Sequence, residues 1–294
     1  MEVVWTLENV KNNKDFYRRF SILLLITSVS LWRKYHPTHK LVFYCDKMSY
    51  DVLYNLNIFY LWDEIRDLKY DDKINRETFW SSSKTKIISE TKIPLLVIDH
   101  DFLIFRNIDD ILNDRIIYTY DETIEHAYPF ENSIINIQLT TPVSYNIPLA
   151  SNVSFFYLPN PEFSRRYGIQ VLKNHAEISA MPYSISGSKY MILSEQLMLK
   201  NWLVSENIKH SPLSKQIWNC TTSSFTKLVN NDGIWEESEC YTSFKHYGGE
   251  EVVIYMTGGN LYNDNCEYLY RCINSCNLIN IKELKKILNT IQNR

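Results

Sequence analysis

The run Leu95-Leu96-Val97-Ile98-Asp99-His100-Asp101-Phe102-Leu103-Ile104-Phe105 constrains this chain more than any other stretch. Four apolar residues before a pair of aspartates, and four after it, read as a fully buried strand of a largely parallel sheet. Burying an unpaired carboxylate costs several kcal/mol, so Asp99 and Asp101 need either a cation or a solvated edge. Ligands of open α/β sheets collect at the carboxyl ends of such strands, which is where this pair falls.

Composition narrows the classes that can hold such a strand. A chain of 294 residues can bury a large core, which fits one big α/β domain. The net charge is −3 and the 31 basic residues are scattered, so the basic stripe of a nucleic-acid binder is missing. Ser21 to Trp32 is strongly apolar, but it is too short to cross a hydrocarbon layer of about 30 Å. It reads as a core helix. No ordered signal-peptide pattern opens the chain, and a cytoplasmic location without a transmembrane segment is the expectation. The six cysteines match no common zinc spacing and read as buried free thiols.

Along the chain, Glu2 to Thr6 is a β-prone run and Asp15 to Tyr35 has helical periodicity. Lys40 to Asp46 is a second buried strand that ends in an acid, and Tyr50 to Asn57 a short helix. Glu77 to Thr91 reads as a helix closed by Pro94. This alternation through residue 112 predicts a Rossmann-like, mostly parallel sheet flanked by helices. Further on, the pattern predicts strands at Arg115 to Thr119, Ser133 to Leu139 and Asn152 to Tyr157. Helices are expected at Pro161 to Glu177, Tyr190 to Leu203 and, amphipathic, Lys282 to Ile291. Four of the seven glycines form the pairs Gly248-Gly249 and Gly258-Gly259, which suits backbone that passes close to a ligand.

Two groups of residues carry chemistry. In extended chain, side chains at i and i+2 share a face, so Asp99 and Asp101 can converge on one Mg²⁺ or Mn²⁺ whose other positions stay open to a diphosphate. The bland alternative is a solvated strand end. The second group is Phe244-Lys245-His246-Tyr247-Gly248-Gly249. Here an imidazole precedes two glycines whose amides could approach a phosphate, and Lys245 adds charge. His246 could equally be a packed or surface histidine.

These motifs, in this order, resemble the GT-A-fold glycosyltransferases, closest in layout to the glycogenin-like sugar transferases with an Asp-x-Asp motif. The resemblance covers about residues 2 to 250. It implies a nucleotide-diphospho-sugar transferase fold with a catalytic domain over 1–260, a nucleotide-binding half over 1–112, an acceptor half over 113–260 and a helical tail over 261–294. It also implies roles. Asp99, Asp101 and His246 would hold Mn²⁺ or Mg²⁺. Thr6, Lys84, Lys86, Asp99, Asn152, Lys245, Gly248 and Gly249 would meet the nucleotide-sugar donor, most simply a UDP-sugar. Glu195, in Leu193-Ser194-Glu195-Gln196-Leu197, matches the acidic-Gln pair that faces the acceptor. It and Asp121 are the candidate catalytic carboxylates. From its helix alone, Glu195 reads as solvated surface. The acceptor would be a glycan, a lipid-linked group or a protein. Ser154 stands where the family has glycine, and Gly249-Glu250-Glu251 where Lys-Pro-Trp is common. The runner-up readings are a haloacid-dehalogenase-like phosphatase, which also presents Asp-x-Asp after an apolar strand, and a non-catalytic carbohydrate-binding protein.

Overall fold

The apolar runs of the N-terminal third become parallel strands in the computed structural model of the chain. It describes residues 1–8, 19–123, 139–140, 147, 149–181, 188–213 and 262–292, with the short segments 217–219, 224–225, 234–237, 244–247 and 253–255. These fall into two compact units. The first comprises Lys69–Val97 and Leu112–Leu228 with Met1, and the second Glu2–Leu68, Ile98–Ile111 and Val229–Arg294.

The second unit starts with β1 (Glu2–Leu7), α1 (Arg19–Tyr35) and β2 (Lys40–Cys45). Val3, Val4 and Trp5 of β1 and Leu41, Val42 and Phe43 of β2 are wholly buried. Consecutive buried positions on both faces are the mark of a parallel strand covered on each side. The two strands pair in parallel from Glu2 opposite Lys40 to Leu7 opposite Cys45. β3 (Glu64–Asp67), which sequence periodicity misses because it is short and charged, adds in parallel to β2. The acid after β2 has a local role. Asp46 caps α2 (Lys47–Asn55), accepting from the Ser49 N–H at 2.7 Å, so the helix begins three residues earlier than expected.

In the first unit, α3 (Ser82–Glu90) is shorter than the helix expected over Glu77 to Thr91, and β4 (Leu95–Ile98) is buried throughout. The apolar run beyond it is not one strand. It turns at Asp99–Asp101, where the Phe102 N–H donates to the Asp99 carbonyl at 3.0 Å, and resumes in the second unit as β5 (Phe102–Ile104). Two carboxylates cannot continue a buried strand, and the turn lifts them out of it. Asn107 and Ile108 beyond β5 are tied to the end of α1. Asn107 Nδ2 donates to the Tyr35 carbonyl, and the Ile108 N–H donates to His36 Nε2 at 3.0 Å. Burial keeps that imidazole neutral, its pKa pushed down to about 4.

The first unit continues with β6 (Ile116–Tyr118), β7 (Asp121–Thr123), β8 (Leu149–Ser151) and β9 (Phe155–Leu158). The strand expected over Asn152 to Tyr157 thus begins only at Phe155, and Asn152 lies between β8 and β9. α4 (Pro161–Ser179) is capped by Asn160, which accepts from the Glu162 and Phe163 N–H groups, with proline in its first turn. Next come α5 (Ser188–Ile192), a π-helical turn (Leu193–Leu197) and α6 (Met198–Ser205). β10 (His210–Pro212), β11 (Ile217–Asn219) and β12 (Ser224–Phe225) complete the unit. One of its sheets runs β10-β6-β9-β4 and the other β12-β11-β7-β8. β6 is parallel to β10 and antiparallel to β9.

The second unit closes with the antiparallel pair β13 (Ile234–Glu237) and β14 (Phe244–Tyr247), and with β15 (Val253–Tyr255) antiparallel to β5. Helices α7 (Tyr262–Cys276) and α8 (Ile281–Gln292) follow. α7 lies on α1, and α8 buries Leu284, Ile287 and Leu288. The expected α/β class with mostly parallel pairing is the class observed. The strand expected over Ser133 to Leu139 lies outside the described residues, apart from Leu139. Among the described residues no helix is long and apolar enough to cross a membrane. Cys45 and Cys276 are buried free thiols, and burial pushes Cys45 up to about 12.

α3 and α4 pack closely at Gly168. A Cβ there would stand 2.6 Å from the backbone nitrogen of Ser89. The obstacle is main chain and cannot swing aside. Gly168→Ala is expected to cost about 1–3 kcal/mol in urea unfolding. An unchanged midpoint would show that the two helices separate without strain.

Candidate active site

In the second unit the candidate residues are Thr6, Asp99 and Asp101. Thr6 is the penultimate residue of β1, half-buried and in register with Tyr44. Asp99 and Asp101 are half-buried on their turn, while Ile98 before them and Phe102 after them are almost fully covered. A buried hydrogen-bond relay holds this turn from behind. Trp5 Nε1 donates to Ser28 Oγ at 2.9 Å, and Ser28 Oγ donates to the Phe102 carbonyl at 2.8 Å. A strand, a helix and the residue after Asp101 are thus joined through one hydroxyl. Asp99 and Asp101 supply hard oxygen donors of the kind Mg²⁺ and Mn²⁺ prefer. Among the described residues no three His, Cys, Asp or Glu side chains gather as a complete cage would require. Lys245 and His246 lie on β14, in register with Glu236 and Trp235; their side chains, and Gly248 and Gly249 entirely, lie outside the described residues.

The first unit brings the other candidates to a second group of contacts. Lys84, on α3, is buried, and its Nζ donates to the Val153 carbonyl at 3.3 Å, one residue beyond Asn152. Lys86 lies on the more open side of α3 and pairs with Glu90 at 3.2 Å. Glu195 is not solvated surface, as its helix alone suggested. It is 1% exposed, and Ser81 Oγ donates to its Oε2 at 2.7 Å. Its carbonyl accepts from the Tyr167 hydroxyl at 3.2 Å. Glu195 and Gln196 lie in the π-helical turn, a distortion that recurs at functional sites because it redirects side chains within a helix.

The adjacent acids Asp121 and Glu122 occupy alternate positions on β7 and serve different partners. Asp121 Oδ2 accepts from Lys200 Nζ at 2.9 Å, and the same ammonium donates to the Tyr118 hydroxyl at 2.8 Å. Both members of the ion pair are largely covered. Burial, with the Asp121 charge, pushes the Tyr118 phenol well above its ordinary range. Glu122 Oε1 accepts from Asn152 Nδ2 at 2.8 Å. Burial pushes its carboxyl up to about 7, against the lowering effect of hydrogen bonds from Asn152 and Tyr120. Two buried acceptors, Asp121 Oδ1 and Gln196 Oε1, have no hydrogen-bond partner among the described residues. Buried acceptors are normally satisfied, so two such oxygens in one unit suit a ligand rich in hydroxyl donors.

Sequence reasoning missed Ser28, Ser81, Glu122 and Lys200. Lys200 leaves the clearest trace, the one charge in the mostly apolar stretch Leu197-Met198-Leu199-Lys200-Asn201-Trp202-Leu203. Glu122 is marked only by its place beside Asp121. Nothing local marks either serine.

No protein-family model matches the chain, and no curated protein matches it by sequence. Among solved structures it is similar to the galactosyltransferase LgtC in complex with donor and acceptor sugar analogues, at 12% identity and a TM-score of 0.38, over 66% of this chain and 69% of that one. It is similar to apo mouse xyloside xylosyltransferase 1, at 13% identity and a TM-score of 0.42, over 73% and 86%. It is also similar to the glycosyltransferase GlyE of Streptococcus pneumoniae TIGR4, at 11% identity and a TM-score of 0.35, over 72% of this chain and 45% of that one. All three are glycosyltransferases, and none singles out the glycogenin-like subgroup.

Two outcomes follow from these contacts. Ser28→Ala removes the acceptor of a buried indole N–H and is expected to cost about 1–3 kcal/mol in denaturant unfolding. A neutral result would mean that the relay does not hold the turn. Glu122 has a folded-state pKa above its unfolded value, so its contribution to stability is fully present below about 4.5 and is lost as pH rises through about 7. Glu122→Gln keeps an oxygen for Asn152 and cannot ionise. Between about pH 5 and pH 8 it is expected to lose less stability than the wild type, by about 2–3 kcal/mol at 1.36 kcal/mol per unit. Parallel pH curves would assign the titration to another group.

Proposed function

We propose that this chain is a metal-dependent glycosyltransferase that moves a sugar from a nucleotide diphosphate donor, UDP-linked, to an acceptor hydroxyl. The observation that carries the reading is the Asp99–Asp101 turn. Two carboxylates follow a wholly buried strand and stand on a turn that the Trp5–Ser28–Phe102 relay holds in place. Mg²⁺ and Mn²⁺ are commonly held by one or two carboxylates while phosphate oxygens and water complete the shell, so the two aspartates fit such an ion. His246 is the proposed third protein ligand. Bound there, the ion would neutralise the charge that develops on a leaving diphosphate.

The chain's own residues do the rest of the work in this reading. Thr6 lies beside the base, and Lys84, Lys86, Lys245 and the amides of Gly248 and Gly249 offset phosphate charge. Asn152 and the buried oxygens of Asp121 and Gln196 bind sugar hydroxyls. Glu195, steadied by Ser81, orients the acceptor and takes its proton if the reaction inverts. Lys200 holds the Asp121 carboxyl in place through Oδ2. The gain in rate comes mainly from fixed orientation and preset charge. A glycan, a lipid-linked group or a protein would serve as acceptor.

The test is thermal unfolding with Mn²⁺ or Mg²⁺, with and without UDP, GDP or inorganic phosphate, on the wild type and Asp101→Asn. A ligand at about 100 times its Kd should add roughly 2.7 kcal/mol to the wild type. The expected result is stabilisation by UDP that requires the metal and vanishes in Asp101→Asn. Turnover of UDP-sugar should fall in that variant by about 100-fold or more, while its unliganded melting stays unchanged. Phosphate alone stabilising the protein would favour the phosphatase. A UDP-sugar that binds without turnover would favour the carbohydrate-binding protein.

A further inference from the structure

The reaction proposed above leaves one buried acid without a part. Glu122 points away from the Asp121–Lys200 pair and toward Asn152, which follows β8; the residue opposite Glu122 on that strand is Ala150. Asn152 makes four hydrogen bonds to described residues, two through its main chain and two through its side chain. Its carbonyl accepts from the Thr119 N–H at 2.9 Å, and its own N–H donates to the Tyr120 carbonyl at 2.9 Å. In the side chain, Oδ1 accepts from the Ser154 N–H at 3.0 Å, while Nδ2 donates to Glu122 Oε1 at 2.8 Å.

That last pair of contacts has a chemical consequence. A carboxamide has two nearly isosteric orientations, and turning it over exchanges an oxygen with two lone pairs for a nitrogen with two hydrogens. Here the flipped orientation would set Oδ1 against the carboxyl of Glu122 and Nδ2 against the N–H of Ser154. The exchange at Ser154 replaces a hydrogen bond by repulsion between donors, the exchange at Glu122 does the same between acceptors when the acid is ionised, and together they favour the observed orientation. Among the described residues, one hydrogen of Nδ2 and one lone pair of Oδ1 are used, and Asn152 is half-exposed. The second hydrogen and the second lone pair form a fixed donor and acceptor at a partly open position.

We propose that Glu122 is a positioning residue, which locks the Asn152 carboxamide so that its remaining donor and acceptor meet a hydroxyl of the donor sugar. This rests on the donor-binding part given to Asn152 under the proposed function. The groups that face Glu122 are the Asn152 amide, the Tyr120 side chain and the charge of Asp121, itself matched by Lys200. Ionised Glu122 accepts from Nδ2 more strongly than the neutral acid does. Asn152 therefore reports the protonation state of a residue that never touches the sugar.

The experiment uses the full chain and the variants Glu122→Gln, Glu122→Met, Asn152→Ala and the Glu122→Met/Asn152→Ala double. Side-chain amide signals of selectively ¹⁵N-asparagine-labelled protein are followed across neutral pH, with Asn152→Ala identifying the Asn152 pair. Calorimetry with Mn²⁺ and UDP-glucose, UDP-galactose or UDP-N-acetylglucosamine gives the affinities. The Asn152 signals should shift with one titration in the wild type and stay flat in Glu122→Gln. Asn152→Ala and Glu122→Met should each weaken binding by about tenfold, the double variant no further than Asn152→Ala, and Glu122→Gln should recover most of the affinity. Full affinity in Glu122→Met beside a weakened Asn152→Ala would overturn the positioning role, as would wild-type Asn152 signals that ignore pH. A wild type that binds none of the three sugars would sink the transferase reading and the sugar-facing part of this proposal. The amide titration would still decide separately whether Glu122 holds Asn152.

Discussion

Charge taken out of water must find a partner, and the local structure of this chain follows from how each buried charge is answered. A wholly apolar strand, β4, runs directly into Asp99, and the chain turns there before burying itself again as β5. The turn is also held from behind. The Trp5–Ser28–Phe102 relay supplies the hold from inside the core of the second unit. A single hydroxyl satisfies a buried indole and fastens the first residue of β5. The residue that follows Asp101 is thereby tied to β1 and α1.

The first unit meets the same requirement with more groups. Its neighbouring acids on β7 point to opposite sides and are treated in opposite ways. Asp121 receives a full positive charge from Lys200, while Glu122 receives only an amide hydrogen from Asn152. The first has a cationic partner, and burial pushes the carboxyl of the second up to about 7. Two acids with such different environments can serve different purposes from adjacent positions in the chain. Buried Glu195, answered by the Ser81 hydroxyl, is a third solution in the same unit.

Much of this was legible in the residues alone. β1, β2 and β4 could be read because runs of Val, Leu, Ile and aromatic residues bounded by polar ones have few other ways to be satisfied. Pro161-Glu162 announced the first turn of α4, while the cap at Asn160 emerges only in the structure. β3 escaped notice because Glu64-Ile65-Arg66-Asp67 carries too little apolar signal, its Arg66 being held by Glu2 and Glu64. Asp46 was legible as an acid at a strand end but not as the cap it is, since the same residue type serves both roles. Glu195 read as surface because amphipathic periodicity assumes a solvent-facing side, whereas every residue of the π-helical turn is buried.

By itself, then, the sequence determined the α/β class, the placing of the main buried strands and the position of the carboxylate pair after the most apolar of them. Each of these follows from neighbours within a few residues, where periodicity and the cost of burying charge act directly. Tertiary structure alone decided who answers whom. Trp5 and Ser28 lie 23 residues apart, Ser28 and Phe102 74 apart, Lys200 and Asp121 79 apart, and Ser81 and Glu195 114 apart. A hydrogen bond forms only within about 3 Å, and no local pattern records which distant segment folding will bring that close.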